Sequence, residues 1–93
     1  MQTQHSITVA ADIRRSVPGK LLSQARNLSI VLVGEQTEED AKAKGGIRIV
    51  TKGQVVVTGE ASGVHMLDKI ISHIREKAGG RQVSDRMTVK KSS

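Results

Sequence analysis

Phe, Tyr, Trp and Cys are all absent from this 93-residue chain. Without aromatic rings there is no platform on which single-stranded bases could stack. Any contact with nucleic acid must therefore use Lys and Arg against phosphate, Arg stacking and backbone amides. Without cysteine there is no disulfide framework, no thiol nucleophile and no thiolate metal site. Long hydrophobic runs are missing too. No segment approaches the ~20 apolar residues of a membrane span, and MQTQHSITVAADIRR at the N-terminus has no apolar run of signal-peptide length. A cytoplasmic protein without a transmembrane segment is the expectation.

What is present is basic and aliphatic. Lys and Arg number 15 against 9 Asp and Glu, a net charge of +6, which points to an anionic partner such as nucleic acid, an acidic protein or an anionic membrane surface. A chain of this length is expected to form one domain over residues 1–93 and to bury roughly two thirds of its unfolded surface. Its core must come from Val, Ile, Leu, Met and Ala. Such a thin core favours support from a partner or from self-association, so a homo-oligomer is among the expectations.

Hydrophobic patterning predicts the elements in turn. SITVA (6–10) is β-branched and reads as a first strand. Leu21, Leu22 and Ala25 recur at helical spacing. Pro18 is tolerated only in a first turn, so a helix is predicted from near Val17, capped by Ser16, to about Asn27. LSIVLV (28–33) predicts the second strand, closed by Gly34. Residues 35–46, EQTEEDAKAKGG, lack apolar periodicity and read as a mobile acidic loop. In GIRIVTKGQVVVTG two β runs flank Thr51-Lys52-Gly53. This predicts a hairpin with Gly53 in the left-handed conformation, with Ile47, Ile49, Val55 and Val57 on one face and Arg48, Val50 and Val56 on the other. Val64, Leu67, Ile70, Ile71, Ile74 and Ala78 form one helical stripe after Ser62 as N-cap, stopped by Gly79-Gly80. Residues 82–89 predict a last strand, and 90–93 a basic tail. The expected fold is α+β, in the order β-α-β-(β-β hairpin)-α-β, with both helices on one face of a mainly antiparallel sheet of about five strands.

The second half, through Ile47, Ile49, Gly53, Val55, Val57, Gly59, Val64, Ile70, Ile71, Ile74, Val83 and Val89, resembles the end of a BON domain. It is also similar to KH-like small α/β modules. The first resemblance implies an envelope-associated protein attached to phospholipid, the second nucleic-acid binding. The Gly-x-x-Gly loop with which KH domains clamp a nucleic-acid backbone has no counterpart in this sequence.

DIRRSVPGK (12–20) is the most charged stretch beside a predicted helix start. Gly19-Lys20 is followed by Leu21 and lacks the earlier glycine of a P-loop, which excludes nucleotide hydrolysis of that type. Generic anion binding by Arg14, Arg15 and Lys20 at free helix amides remains open. A second basic group gathers toward the C-terminus, where Lys69, Arg75, Lys77, Arg81, Arg86, Lys90 and Lys91 face only Glu76 and Asp85. His65 and His73 lie eight residues apart, more than about 10 Å along a helix, and cannot share a metal ion. No nucleophile is poised against a base. Glu35, Glu38, Glu39 and Asp40 have no EF-hand spacing. No catalytic residue, metal or cofactor is expected.

The expected function is that of a small non-enzymatic binding module that contacts nucleic-acid phosphates with weak sequence specificity. The contacts would be Arg14, Arg15, Lys20, Lys52, Lys69, Arg81, Arg86, Lys90 and Lys91. The alternatives are a protein-interaction or assembly module whose partner is an acidic protein or a second copy, and a BON-like module on anionic lipid.

Overall fold

A computed structural model describes residues 3–90. Helix α1 spans Gln4–Ser16 and the short α2 Gly19–Leu22. Strands β1 (Ala25–Val33), β2 (Gln36–Glu39), β3 (Ile47–Thr51) and β4 (Gln54–Ala61) follow, then α3 (Val64–Lys77) and β5 (Gln82–Val89). The architecture is the expected α+β class, with mainly antiparallel pairing. Strands β1, β4 and β5 form one sheet in the order β1-β4-β5, and β2 pairs with β3 alone. The β1–β4 pair is antiparallel. β4 and β5 are parallel, joined through α3 as the crossover helix.

Both long helices cover one face of the sheet. Ala10, Ile13 and Val17 from the first helical segment meet Leu28, Ile30 and Leu32 of β1 and Val55 and Val57 of β4. Ile70, Ile71, Ile74 and Ala78 complete the cluster from α3. Leu32, Ile70, Ile74, Val55 and Val57 are the largest fully buried side chains. Each contributes roughly 1.5–3 kcal/mol by leaving water. The alternation along β1 and β4 sends their other residues to the opposite face, which no helix among the described residues covers.

The β-branched run at Ser6–Ala10 is not a strand but the first half of α1. Ser6, Ala10 and Ile13 are buried at spacings of four and three, and Val17 continues the stripe. Only a helix turns all of these to one side. Thr3 caps it, its Oγ1 accepting from the Ser6 N–H at 3.1 Å. The predicted helix to Asn27 shrinks to α2, because Ala25 and Arg26 pair with Ala61 and Glu60 of β4. Ser16 therefore ends a helix instead of starting one, its Oγ donating to the Ile13 carbonyl at 2.6 Å.

Thr51-Lys52-Gly53 is likewise not a hairpin turn. β3 and β4 do not pair with each other; they are successive parts of one long strand path. β1 and β2 form the other path, so Val33 pairs with Gln54 and, across a break, Gln36 with Thr51. The result is a long bent ribbon whose outer part projects from the body, and the molecule measures 54 × 22 × 19 Å. Its tip lies at Asp40–Gly46, where the Asp40 N–H donates to the Gly46 carbonyl at 2.9 Å. Part of the predicted acidic loop is thus strand β2. Val55 and Val57 enter the core, but Ile47 and Ile49 lie on the projecting ribbon and pair with Glu39 and Thr37. Val50 is skipped in this register, as a bulge residue.

Gly53 has no positive φ. Glycine is required there by close approach: a Cβ would come within 2.6 Å of the Val33 carbonyl oxygen and 2.8 Å of the Glu35 backbone nitrogen. The helix α3 follows its predicted stripe, with two exceptions. Val64 is 61% exposed, and Gly63, not Ser62, occupies the N-cap. The Ser62 hydroxyl donates instead to Gln24 Oε1 at 2.8 Å. Gly79 and Gly80, with φ of 64° and 83°, end the helix as predicted. β5 keeps its predicted limits, and Lys90 extends it by donating its N–H to the Ala61 carbonyl at 2.8 Å.

Candidate nucleic-acid interface

DIRRS is the last turn of α1. The partial charge at this end of a helix is negative, so Arg14 and Arg15 complement the helix dipole itself. Arg14 Nη1 donates to the Leu28 carbonyl at 2.5 Å, tying α1 to the sheet. Arg15 remains exposed, 3.6 Å from Asp12. The helix that starts after these arginines, α2, is a single turn of four residues.

Each of the three helices contributes an exposed cation to the helical layer: Arg15, Lys20 and Lys69. His73 Nε2 donates to the Ser16 carbonyl at 2.6 Å, holding the end of α1 against α3. Leu21, Asp68, Lys69, Ser72, His73 and Glu76 line a shallow groove of about 380 Å³ between α2 and α3. Lys20 precedes Leu21 and is exposed.

The other predicted contacts are dispersed. Lys52 donates from Nζ to the Gly79 carbonyl at 3.2 Å, bracing the ribbon break against the end of α3. Arg86 lies on the helix-free side of the sheet, since it pairs with Thr58, whose neighbour Val57 is buried under the helices. Lys90 lines a cleft of about 160 Å³ with Ser23, Gln24, Arg26, Glu60, Ala61 and Ser62. These two cannot share a flat footprint with the helical layer. Lys91 lies outside the described residues.

Arg81 is turned inward, onto a residue that patterning misses. Glu35 Oε1 and Oε2 accept from Arg81 Nε and Nη2 at 2.6 and 3.0 Å. The carboxylate also accepts from the Gly53 N–H at 3.1 Å and from His5 Nε2 at 2.5 Å. Its side chain is fully buried and that of Arg81 is 10% exposed. Burial raises the Glu35 pKa, but the hydrogen bonds from Arg81, Gly53 and His5 and the charge of Arg81 outweigh it. The carboxyl is held down at about 2, from an ordinary 4.5. This knot joins α1, the ribbon break and the α3–β5 turn. The one trace of it in the sequence is an acid placed between two strand runs beside a glycine.

Both outer strands of the main sheet carry local devices. On β5 the Met87 N–H donates to Asp85 Oδ1 at 3.0 Å. On β1 the pairing shifts between Arg26 and Ser29, and Asn27 takes a φ of 56°. Both occupy or distort groups that an added strand would need. The ribbon at 36–51 holds three acids (Glu38, Glu39, Asp40) and three bases (Lys42, Lys44, Arg48), so the whole surplus of +6 belongs to the rest of the chain. Among the described residues, no three His, Asp or Glu side chains gather as a metal site, and no helix is long and apolar enough to cross a membrane. Comparison with protein-family models, curated proteins and solved structures finds no match to this chain.

Proposed function

We propose that this protein is a small non-enzymatic, cytoplasmic module that binds nucleic acid through its phosphates, with Arg15, Lys20 and Lys69 as the central contacts. The observation that carries the reading is that Arg15, Lys20 and Lys69 are exposed on the three helices of one layer, Lys69 in the groove between α2 and α3, on a body that holds the full positive surplus. Asp12, Asp68 and Glu76 lie on the same helical layer and moderate the field, so binding is of low affinity. Without aromatic rings and with charged groups as the main contacts, the interface positions a backbone and reads sequence weakly.

The test is fluorescence anisotropy with labelled single- and double-stranded DNA and RNA across a salt series. Three phosphate contacts give a log–log salt slope of about −3 on duplex DNA. Arg15→Glu, Lys20→Glu and Lys69→Glu each flatten the slope by about one. No binding at low salt overturns the reading. Co-sedimentation with anionic vesicles in that case would transfer the charge to a lipid partner.

A further inference from the structure

The helix-free face of the sheet and the projecting ribbon are both incomplete as single layers. On the face, Val31 and Val33 of β1 and Val56 of β4 lie beside Ser29, Thr58 and Ser84, and no helix among the described residues covers them. Val33 is 41% exposed. The ribbon has only two strands, an arrangement that is marginal alone in water. Even so, it exposes Ile49 and Val50 at 39% and 54%.

The charges of the two surfaces are complementary. Among the described residues, the sheet face carries Arg26, Arg86 and Lys90 against Glu60 alone. The strand β2 and the residue after it carry Glu38, Glu39 and Asp40. Arg48 already pairs with Glu38, which leaves Glu39 and Asp40. The spacing is complementary as well. Ile49 stands as far before the break at Lys52-Gly53 as Val56 stands after it, about 12 Å along an extended strand. Ile47 and Thr58 are likewise equidistant, about 18 Å. Ile47 pairs with Glu39 and Thr58 with Arg86, so Glu39 and Arg86 stand at matching heights on either side of the break.

A two-fold axis at the break superposes these levels. We infer that two copies of this chain associate about that axis, each ribbon lying across the other's open sheet face. Ile49 then meets Val31 and Val56 of the second copy, and Glu39 meets Arg86. The contact is isologous and closes on itself, so it stops at a dimer. Both helical layers stay outward.

The experiment uses the full chain without nucleic acid, so its outcome is separable from the binding reading. Sedimentation equilibrium should give twice the monomer mass of 10.0 kDa. Glu39→Arg and Arg86→Glu should each raise the dimer Kd by about 10-fold, since each acts twice per dimer. The double variant should restore it, which a folding defect would not do. The chain has no cysteine. In Ile49→Cys/Val56→Cys the two positions are about 23 Å apart within one chain, so oxidation should yield cross-linked dimers only. A monomer at 100-fold the concentration used for the binding assay overturns the inference. A dimer that the charge swap does not restore, or that fails to cross-link, overturns this arrangement.

Discussion

Arg81 grips Glu35 through two parallel hydrogen bonds, Nε to Oε1 at 2.6 Å and Nη2 to Oε2 at 3.0 Å, with the carboxylate wholly out of water. The pair connects residues 46 apart in the chain. It is the charged clasp between the ribbon break and the turn that follows α3.

Removing one partner leaves the other charge buried and unpaired. Arg81→Ala should therefore lower stability by about 3–5 kcal/mol, read as a shift in the urea midpoint. His65→Ala, exposed on α3, should change it by less than about 0.5 kcal/mol. Equal effects would mean that the clasp adds nothing.

The clasp also sets an acid sensitivity. The folded Glu35 pKa, about 2, lies below its ordinary value of 4.5. The unfolded chain therefore takes up the proton first as pH falls. The contribution of the group, about 3 kcal/mol, is complete above about pH 4.5 and is lost as pH drops toward 2. Stability measured across that range should fall less steeply in Glu35→Gln, which starts lower but has no carboxylate to protonate there. Parallel curves for the two proteins would contradict this assignment.

Gly53 tests the close approach at the same break. Gly53→Ala sets a methyl group against the Val33 carbonyl and the Glu35 backbone, neither of which is a flexible side-chain end. A loss of about 1–3 kcal/mol is expected. Gly63→Ala, where a Cβ meets nothing within 4 Å, should cost less. Thermal melts of the two variants decide between steric crowding and a general need for glycine.

The proposed binding face has an internal contrast. Reversing Lys42 and Lys44 at the neutral ribbon tip should leave the salt slope for duplex DNA within about 0.3 of the parent. Reversing Lys20 and Lys69 should reduce it by about two. Anisotropy titrations at several salt concentrations measure both. The opposite ranking would move the interface to the ribbon.

Patterning anticipated α3 and β5 well, because their signals are local: six apolar residues on one helical stripe, a glycine stop, then alternation. It misread Ser6–Ala10 because three of the five residues in that window, Ile7, Thr8 and Val9, are β-branched. The helical period emerges when Ile13 and Val17 are included. TKG looked like a turn because a glycine between two strand runs is the usual hairpin signal, yet the same signal fits one strand path bent at a close contact. Of the basic residues named from sequence, Arg15, Lys20 and Lys69 are exposed on the helical layer, whereas Arg81 is consumed internally. Charge counting cannot distinguish a solvated arginine from one that faces a buried carboxylate.

Composition by itself determined that the core is aliphatic, that the surface is positive and that thiol and aromatic chemistry are absent, since these depend only on which side chains exist. Local periodicity determined α3 and β5, since each buries a stripe set by its own spacing. Tertiary structure alone decided that the first segment is helical, that the ribbon projects and that Glu35 is buried. Each of those outcomes depends on partners far away in the chain: Leu28 and Val57 for the helix, Val33 for Gly53, and Arg81 for the carboxylate.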